Sequence, residues 1–285
     1  MPRIWFITGC SSGFGRQLAI TATENKDIVV ATSRDPSKLS DLASIGVIAK
    51  KLDVQASDAE VKAVIDDVIS TVGPIDILVN NAGYILEGGV EECSHQEIVD
   101  QFDVNVFSQL RILRAALPSM RARKSGIVAN FGSIGGWNGS PAAGMYCATK
   151  AAIAIYTESL RNELAAFDIE VTCVEPGYFR TNFLTGDHKI TAKNRIPELD
   201  VGTQATRDAL AAYSLNQPGD PVKGAQVLFE AFTKTGRCEG RSLPARLALG
   251  RDSLAAIGGS IAREQETLDS WQEIIASTDC DDVKA

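Results

Sequence analysis

Short apolar runs rich in Val, Ile and other β-formers alternate along this chain with longer stretches whose apolar residues recur at helical spacing. A strand buried on both faces reads as an unbroken apolar run because neither face meets water, whereas a helix covering it shows one apolar stripe. The pattern predicts strands over 3–8, 27–33, 47–53, 75–80, 126–131 and 170–175, with a seventh over 243–249. Between them it predicts helices over 13–24, 36–44, 58–72, 95–123, 144–167 and 221–234. This order implies an α/β, doubly wound parallel sheet of about seven strands with helices on both faces. In such sheets the ligand binds beyond the carboxyl ends of the strands.

Two segments break the rhythm. Residues 179–219 carry Gly, Pro, Thr, Asn and Asp with weak periodicity, at the mouth of the expected sheet. A loop of that length inside a compact domain is usually functional, and it reads as a substrate lid with a helix-forming patch at 206–213. A surface excursion is the plainer alternative. The 250–285 end reads as a helix, with apolar residues at Leu254, Ile257, Ile261, Leu268 and Trp271, followed by an acidic tail at Asp279-Cys280-Asp281-Asp282 that is expected to be disordered. There is no internal repeat or low-complexity linker, so residues 1–285 are expected to form a single domain.

Composition narrows the function classes. A net charge of −8 opposes nucleic-acid binding, and the one basic cluster, Arg121-Ala122-Arg123-Lys124, reads as a solvated helix end. No apolar run reaches the roughly 18 residues that a membrane span requires. Six cysteines without a CxxC pair suit a reducing compartment, and Met1-Pro2-Arg3 leads straight into a strand pattern, so a cytoplasmic location is expected. His95 and His188 lie far apart without partners at ligand spacing, which predicts neither a metal site nor a Ser-His-Asp triad.

Directly after the first strand stands Thr8-Gly9-Cys10-Ser11-Ser12-Gly13-Phe14-Gly15. Glycines at a strand-to-helix turn let the backbone approach a pyrophosphate, which the helix N–H groups and dipole then stabilise. Taken alone, the cluster could also be a tight structural turn. The second strand ends at Ser33-Arg34, where an NAD-binding protein would carry a carboxylate for the ribose 2′-hydroxyl. Ser33 leaves room for a 2′-phosphate and Arg34 can grip it, so NADP(H) is the expected cofactor. The alternatives are that Arg34 stacks on the adenine or opens the next helix, and Asp35 stands close by.

Tyr146 and Lys150 are four residues apart and would share one helical face. A cation there is expected to lower the phenol from its usual pKa of about 10, so that it can donate and accept a proton near neutrality. A half-exposed amphipathic helix gives the same spacing. Ser133, just past the fifth strand, would bring a hydroxyl to the same sheet edge, and Asn105 falls in the helix after the fourth.

These motifs, in this order over residues 4–181, resemble the classical branch of the short-chain dehydrogenase/reductase family, a Rossmann fold. The resemblance makes Asn105, Ser133, Tyr146 and Lys150 catalytic. Ser133 would position the carbonyl, Lys150 would bind the nicotinamide ribose, and Asn105 would hold a water linking Lys150 to solvent. It also implies cofactor contacts from Thr8, Gly9, Ser11, Ser12, Gly13, Phe14 and Gly15 at the turn and from Ser33 and Arg34. Asp53 and Val54 would meet the adenine, Asn80, Ala82 and Gly83 would lie close to the cofactor, and Pro176, Gly177, Phe179 and Thr181 would meet the nicotinamide carboxamide. Gly132 stands where a second serine is frequent in the family, and the turn lacks the basic residue that often reinforces NADP preference.

The implied activity is hydride transfer between NADP(H) and a small-molecule carbonyl or alcohol, with Tyr146 as proton carrier and Ser133 steadying the oxygen. Trp137, Pro141, Met145, Tyr178, Phe179, Phe183 and Leu184 are expected to border the pocket. They hint at a bulky apolar substrate such as a steroid, retinoid, polyketide or terpenoid, unless they are ordinary loop packing. Lid and tail resemble the 17β-hydroxysteroid-dehydrogenase-like subgroup. Reduction coupled to cyclisation, a non-redox step, or silent NADP(H) binding are the other readings. The helices over 95–123 and 144–167 could build a homodimer or homotetramer, as in the family, or simply cover the sheet.

Overall fold

The computed structural model describes residues 1–280; the last part of the predicted acidic tail, residues 281–285, lies outside the described residues. Seven parallel strands form the main sheet: β1 (Ile4–Ile7), β2 (Ile28–Ser33), β3 (Ile48–Lys51), β4 (Ile77–Asn80), β6 (Gly126–Phe131), β7 (Ile169–Pro176) and β9 (Arg246–Leu249). Their spatial order is β3-β2-β1-β4-β6-β7-β9. The chain therefore winds outward in one direction from β1 and in the other from β4, and the crevice opens between these two strands at their carboxyl ends.

Strand alternation assigns each side chain to a layer. Trp5 and Ile7 of β1 face helices α1 (Gly13–Glu24) and α8 (Pro221–Thr233), where the Trp5 ring stacks on Phe229 at 5.7 Å. Phe6, between them, faces the opposite layer and packs with Val61 and Ile65 of α3 (Asp58–Thr71) and with Ile112 of α5 (Ser108–Arg123). All three β1 side chains are 0% exposed, so truncating any of them would open a cavity at a cost of about 3 kcal/mol or more.

Each expected strand and helix is present, with physical adjustments. The 36–44 segment divides into a 3-10 turn, Pro36–Leu39, and the short α2 (Ser40–Ser44), because Asp35 caps the turn through Ser37 N at 3.0 Å. The 95–123 helix is α4 (His95–Phe102), a π-helical turn at Asp103–Phe107, and then α5. Helix α6 (Gly144–Leu164) continues into one 3-10 turn. Buried Ile112, Leu113, Ala116 and Met120 show that α5 covers the sheet.

A second, two-stranded parallel sheet was not anticipated: β5 (Ile85–Glu87) pairs with β8 (Lys189–Thr191), Ile85 opposite Lys189. It ties the 179–219 segment to the sheet mouth, and α7 (Asp200–Tyr213) occupies and extends the predicted helical patch. Helix α9 (Arg251–Ala276) is the last element of the described chain. Among the described residues no helix is long and apolar enough to cross a membrane.

Candidate active site

The turn after β1 is shaped so that little but backbone lines it. Gly9 and Gly13 have φ of +69° and +60°, left-handed values that favour glycine. A Cβ on Gly15 would lie 2.5 Å from Asn81 Nδ2 and 2.7 Å from Gly9 O, so any side chain there would push the two strand ends apart. Thr8 Oγ1 accepts from Asn81 N at 3.0 Å and Ala82 N at 3.1 Å, fastening the ends of β1 and β4 together. Ser12 is the N-cap of α1 but makes no side-chain cap bond, which leaves the first-turn N–H groups without that partner. Bare backbone, a helix N-terminus and clearance for a chain of phosphates fit a dinucleotide.

The cleft is about 850 Å³. Of the predicted cofactor contacts, Gly9, Ser11, Ser12, Gly13, Phe14, Ser33, Arg34, Asp53, Val54, Ala82, Gly83, Pro176, Gly177, Phe179 and Thr181 line it. Thr8 and Gly15 lie behind the wall and shape it. Asn80 is also behind the wall: it is 0% exposed, and its amide donates to Asn130 Oδ1 at 2.9 Å inside the sheet. Asp35, close to Arg34 in sequence, turns its carboxylate onto its own 3-10 turn, accepting from Ser37 N at 3.0 Å and Ser37 Oγ at 2.7 Å. Those two bonds hold its carboxyl below the usual carboxylate range.

Ser133, Tyr146 and Lys150 all line the cleft. Ser133 follows β6, and its Oγ accepts from Gly135 N at 3.0 Å. The Tyr146 ring forms part of the cleft wall, and the protein packed round its phenol raises the pKa above the usual 10, partly offset by a hydrogen bond with Ser133. This corrects the expectation that Lys150 would lower it. Lys150 Nζ is 5.6 Å from the Tyr146 ring centre and donates to Phe131 O at 2.7 Å. Burial of the lysine itself lowers its pKa to about 8. Desolvation thus opposes charge on both groups, so the neutral phenol is the resident form.

Asn105 sits in the π turn, 0% exposed and off the cleft wall. Its Oδ1 accepts from Tyr84 N at 3.0 Å, and its Nδ2 donates to Tyr84 O at 3.0 Å and Thr149 Oγ1 at 3.1 Å. Both amide hydrogens are committed to protein partners.

The sequence pattern of the short chain dehydrogenase family matches residues 3–190. The chain belongs to that family. It is 30% identical to oxidoreductase BOA17 of Botryotinia fuckeliana over 96% of this chain and 98% of the relative. It is 37% identical to a 3-ketodihydrosphingosine reductase of Bacteroides thetaiotaomicron over 64% of this chain and 66% of that one. The crystal structure of a short-chain dehydrogenase from Streptomyces avermitilis superposes with a TM-score of 0.89 and 36% identity, covering 98% of both chains. As a short-chain dehydrogenase, the protein is an oxidoreductase of the CH–OH/C=O class.

In this short-chain dehydrogenase the far end of the cleft is apolar. Ile85, Ala143, Leu184 and Leu210 form a buried cluster with Tyr146 and Phe183 packed against it. Tyr178, Phe179, Phe183 and Leu184 line the cleft as expected, but Trp137, Pro141 and Met145 do not. Trp137 turns away because its Nε1 donates to Glu175 Oε2 at 2.8 Å while the Arg246 guanidinium covers its ring at 3.8 Å. Met145 packs instead against the Tyr84, Leu86 and Cys93 cluster, and Pro141 is exposed.

Three features escaped sequence reading. His188 Nε2 lies 3.0 Å from Ser12 Oγ, so the 179–219 segment reaches over the glycine turn. Glu92 and Glu87 take charge partners from that segment: Glu92 pairs with Arg195 at 2.8 Å and with Arg207, while Glu87 pairs with Lys189 at 2.7 Å and Arg207 at 3.2 Å. Gln217 lines the cleft at 1% exposure. No local motif marks any of these residues, because their partners are distant in sequence.

Proposed function

We propose that this short-chain dehydrogenase is an NADP(H)-dependent carbonyl reductase that also runs in reverse on the secondary alcohol, with Tyr146 as general acid and base. The observation that carries this is geometric: Ser133, Tyr146 and Lys150 line one cleft where the glycine turn meets the apolar cluster packed against the Tyr146 ring. When bound, the nicotinamide supplies the hydride. Ser133 and Tyr146 hold the substrate oxygen between two hydroxyls, so that the charge developing on it meets preplaced donors rather than reorganising water. The phenolic proton passes to that oxygen and yields the alcohol. Lys150, when protonated, offsets the charge left on Tyr146, and the phenol regains its proton from solvent. Both Asn105 N–H bonds are committed to protein partners, so its amide does not hold a relay water for this proton. Asn105 then acts by keeping Tyr84 and Gly83 in place beside the lysine.

NADP(H) rather than NAD(H) is supported by Arg34 on the cleft wall and by the diversion of Asp35 to its own turn. The apolar cluster favours a bulky apolar ketone, and the 179–219 segment serves as its lid within one domain. The groove between α5 and α6, where Leu110, Leu113, Leu117, Tyr156 and Leu160 are flanked by Arg114, Arg121, Ser159 and Glu163, supports a homo-oligomer, and four buried, unpaired cysteines suit a reducing, cytoplasmic setting. The test is a panel of bulky ketones and alcohols assayed with NADPH and NADH side by side. We expect ketone-dependent NADPH oxidation; its absence across the panel would overturn the assignment.

A further inference from the structure

Helix α9 is moored to the body over its first turns. Ser253 is 0% exposed and its Oγ donates to Glu175 O at 2.8 Å, while Ser260, 2% exposed, accepts from Asn138 Nδ2 at 2.6 Å. Beyond Ser260 every described residue, Ile261 through Cys280, is exposed. The helix thus runs about 24 Å past its last buried side chain, at about 1.5 Å per residue over 261–276.

This free part is not polar all round. Leu254, Ile261, Leu268 and Ile275 recur every seven residues, and Ile257, Glu264 and Trp271 follow the first three of them at the other seam position of a heptad. At about 100° per residue these positions make one narrow stripe, and Glu266, Asp269 and Glu273 fall on the opposite side. Ile261, Leu268, Trp271 and Ile275 are each at least 50% exposed. A free helix of about four turns is marginal in water, since helices in proteins draw most of their stability from packing an apolar face. Gly258 and Gly259 at its root weaken it further.

The charges and the symmetry of the stripe select what covers it. Helices that lie on membranes carry Lys and Arg on the polar face, whereas the polar face here carries carboxylates. A second copy of the same helix meets both conditions. Two identical heptad stripes are self-complementary about a two-fold axis, and the carboxylates of Glu266, Asp269 and Glu273 then point away from the seam. Each half-exposed Ile, Leu or Trp offers on the order of 100 Å², so two stripes together bury about 1,000 Å², which reaches the size of a specific interface.

We infer that this chain dimerises through α9, which pairs antiparallel with α9 of a second copy, Leu268 and Trp271 lying nearest the two-fold axis. The antiparallel sense keeps the two folded bodies at opposite ends of the pair and opposes the helix dipoles. Glu264 is the one acid among the seam positions, and it weakens the pair. The contact is separate from the α5–α6 groove and does not rest on the reductase reading.

The test is sedimentation equilibrium on the full-length chain. The wild type is expected to associate, and Leu268→Glu with Trp271→Glu should raise the dissociation constant of this contact by roughly a hundredfold or more. Both side chains are more than half exposed, so the double variant keeps its fold. Glu264→Leu makes the seam wholly apolar and should tighten the contact by about tenfold. A wild type that stays monomeric would overturn the inference, as would a Glu264→Leu variant no tighter than wild type. An oligomer that the double variant leaves unchanged would overturn it too, and would leave the α5–α6 groove as the contact. A monomeric wild type whose Trp271 emission, read by difference from Trp271→Phe, shifts to the blue on phosphatidylcholine vesicles would assign the stripe to lipid instead.

Discussion

Glu92 Oε1 and Arg195 meet at 2.8 Å with the Glu92 side chain fully shielded from water. Burial alone would push this carboxyl up, yet hydrogen bonds from Ile196 N, Arg195 and Gly89 N, with the charge of Arg207, bring it down to about 2. The pair joins the loop after β5 to the segment leading into α7, so that segment is anchored on a buried carboxylate. Because the folded-state pKa is depressed, the stability it contributes is whole above the ordinary carboxyl value of 4.5 and is lost as pH falls towards about 2.

Glu92→Gln should therefore loosen the 189–207 segment. Removing one charge from a buried network leaves Arg207 under-compensated, and a loss of about 3 kcal/mol is expected. Thermal unfolding should fall accordingly, and proteolytic cleavage within 189–207 should accelerate. An unchanged melting temperature together with unchanged cleavage would remove Glu92 from any anchoring role.

Arg34→Ala should weaken NADPH binding by about 10- to 100-fold, the worth of a charge-assisted hydrogen bond to a 2′-phosphate. NADH binding should hardly move. Calorimetric titration with both nucleotides separates this from adenine stacking, which would weaken the two equally and so defeat the proposed NADP(H) preference.

Why were the sheet and the turn readable in advance while the lid anchors were not? Strands such as Ile77–Asn80, buried on both faces, declare themselves as apolar runs, and the glycine turn and the Tyr146–Lys150 spacing are local patterns. By contrast, β5 and β8 are each only three residues long and pair across a separation of about a hundred, and Glu92 finds its arginines just as far away. Asn80 and Trp137 misled for a related reason. Their positions beside the site are local facts, but which way they turn is decided by Asn130 and by Glu175 with Arg246 on other strands. The Tyr146 shift is likewise a matter of three-dimensional crowding: residue spacing predicts the nearby lysine but not the desolvation of the phenol.

The lysine has a measurable consequence for pH. Burial lowers Lys150 to about 8, so its charge is present below that value and lost as pH rises through it. Tyr146, raised by burial, stays protonated over the same range. Reductive kcat/KM should therefore fall on the alkaline side with a midpoint near the lysine value, and Lys150→Met should be slow at every pH and lack that limb. A wild-type profile that is flat to about one unit above the lysine's value would show that the ammonium charge does not assist the step.

Tyr146→Phe isolates the proposed proton donor from everything else the side chain does. The ring stays in place against Phe183, whose centre lies 5.9 Å away, and the backbone-lined turn that cradles the dinucleotide does not involve the phenol. Only the hydroxyl and its bond with Ser133 are removed. A positioned general acid is worth roughly a hundred- to ten-thousand-fold in rate, so turnover should drop by about a thousandfold while NADPH affinity, read by fluorescence titration, stays near the wild-type value. If the variant instead kept a tenth of the activity, the proton would have to reach the substrate oxygen by another route, and the Ser133 hydroxyl is the first candidate. Ser133→Ala in the same background then discriminates: a further collapse in turnover would transfer the role to Ser133, and no further change would leave solvent as the donor.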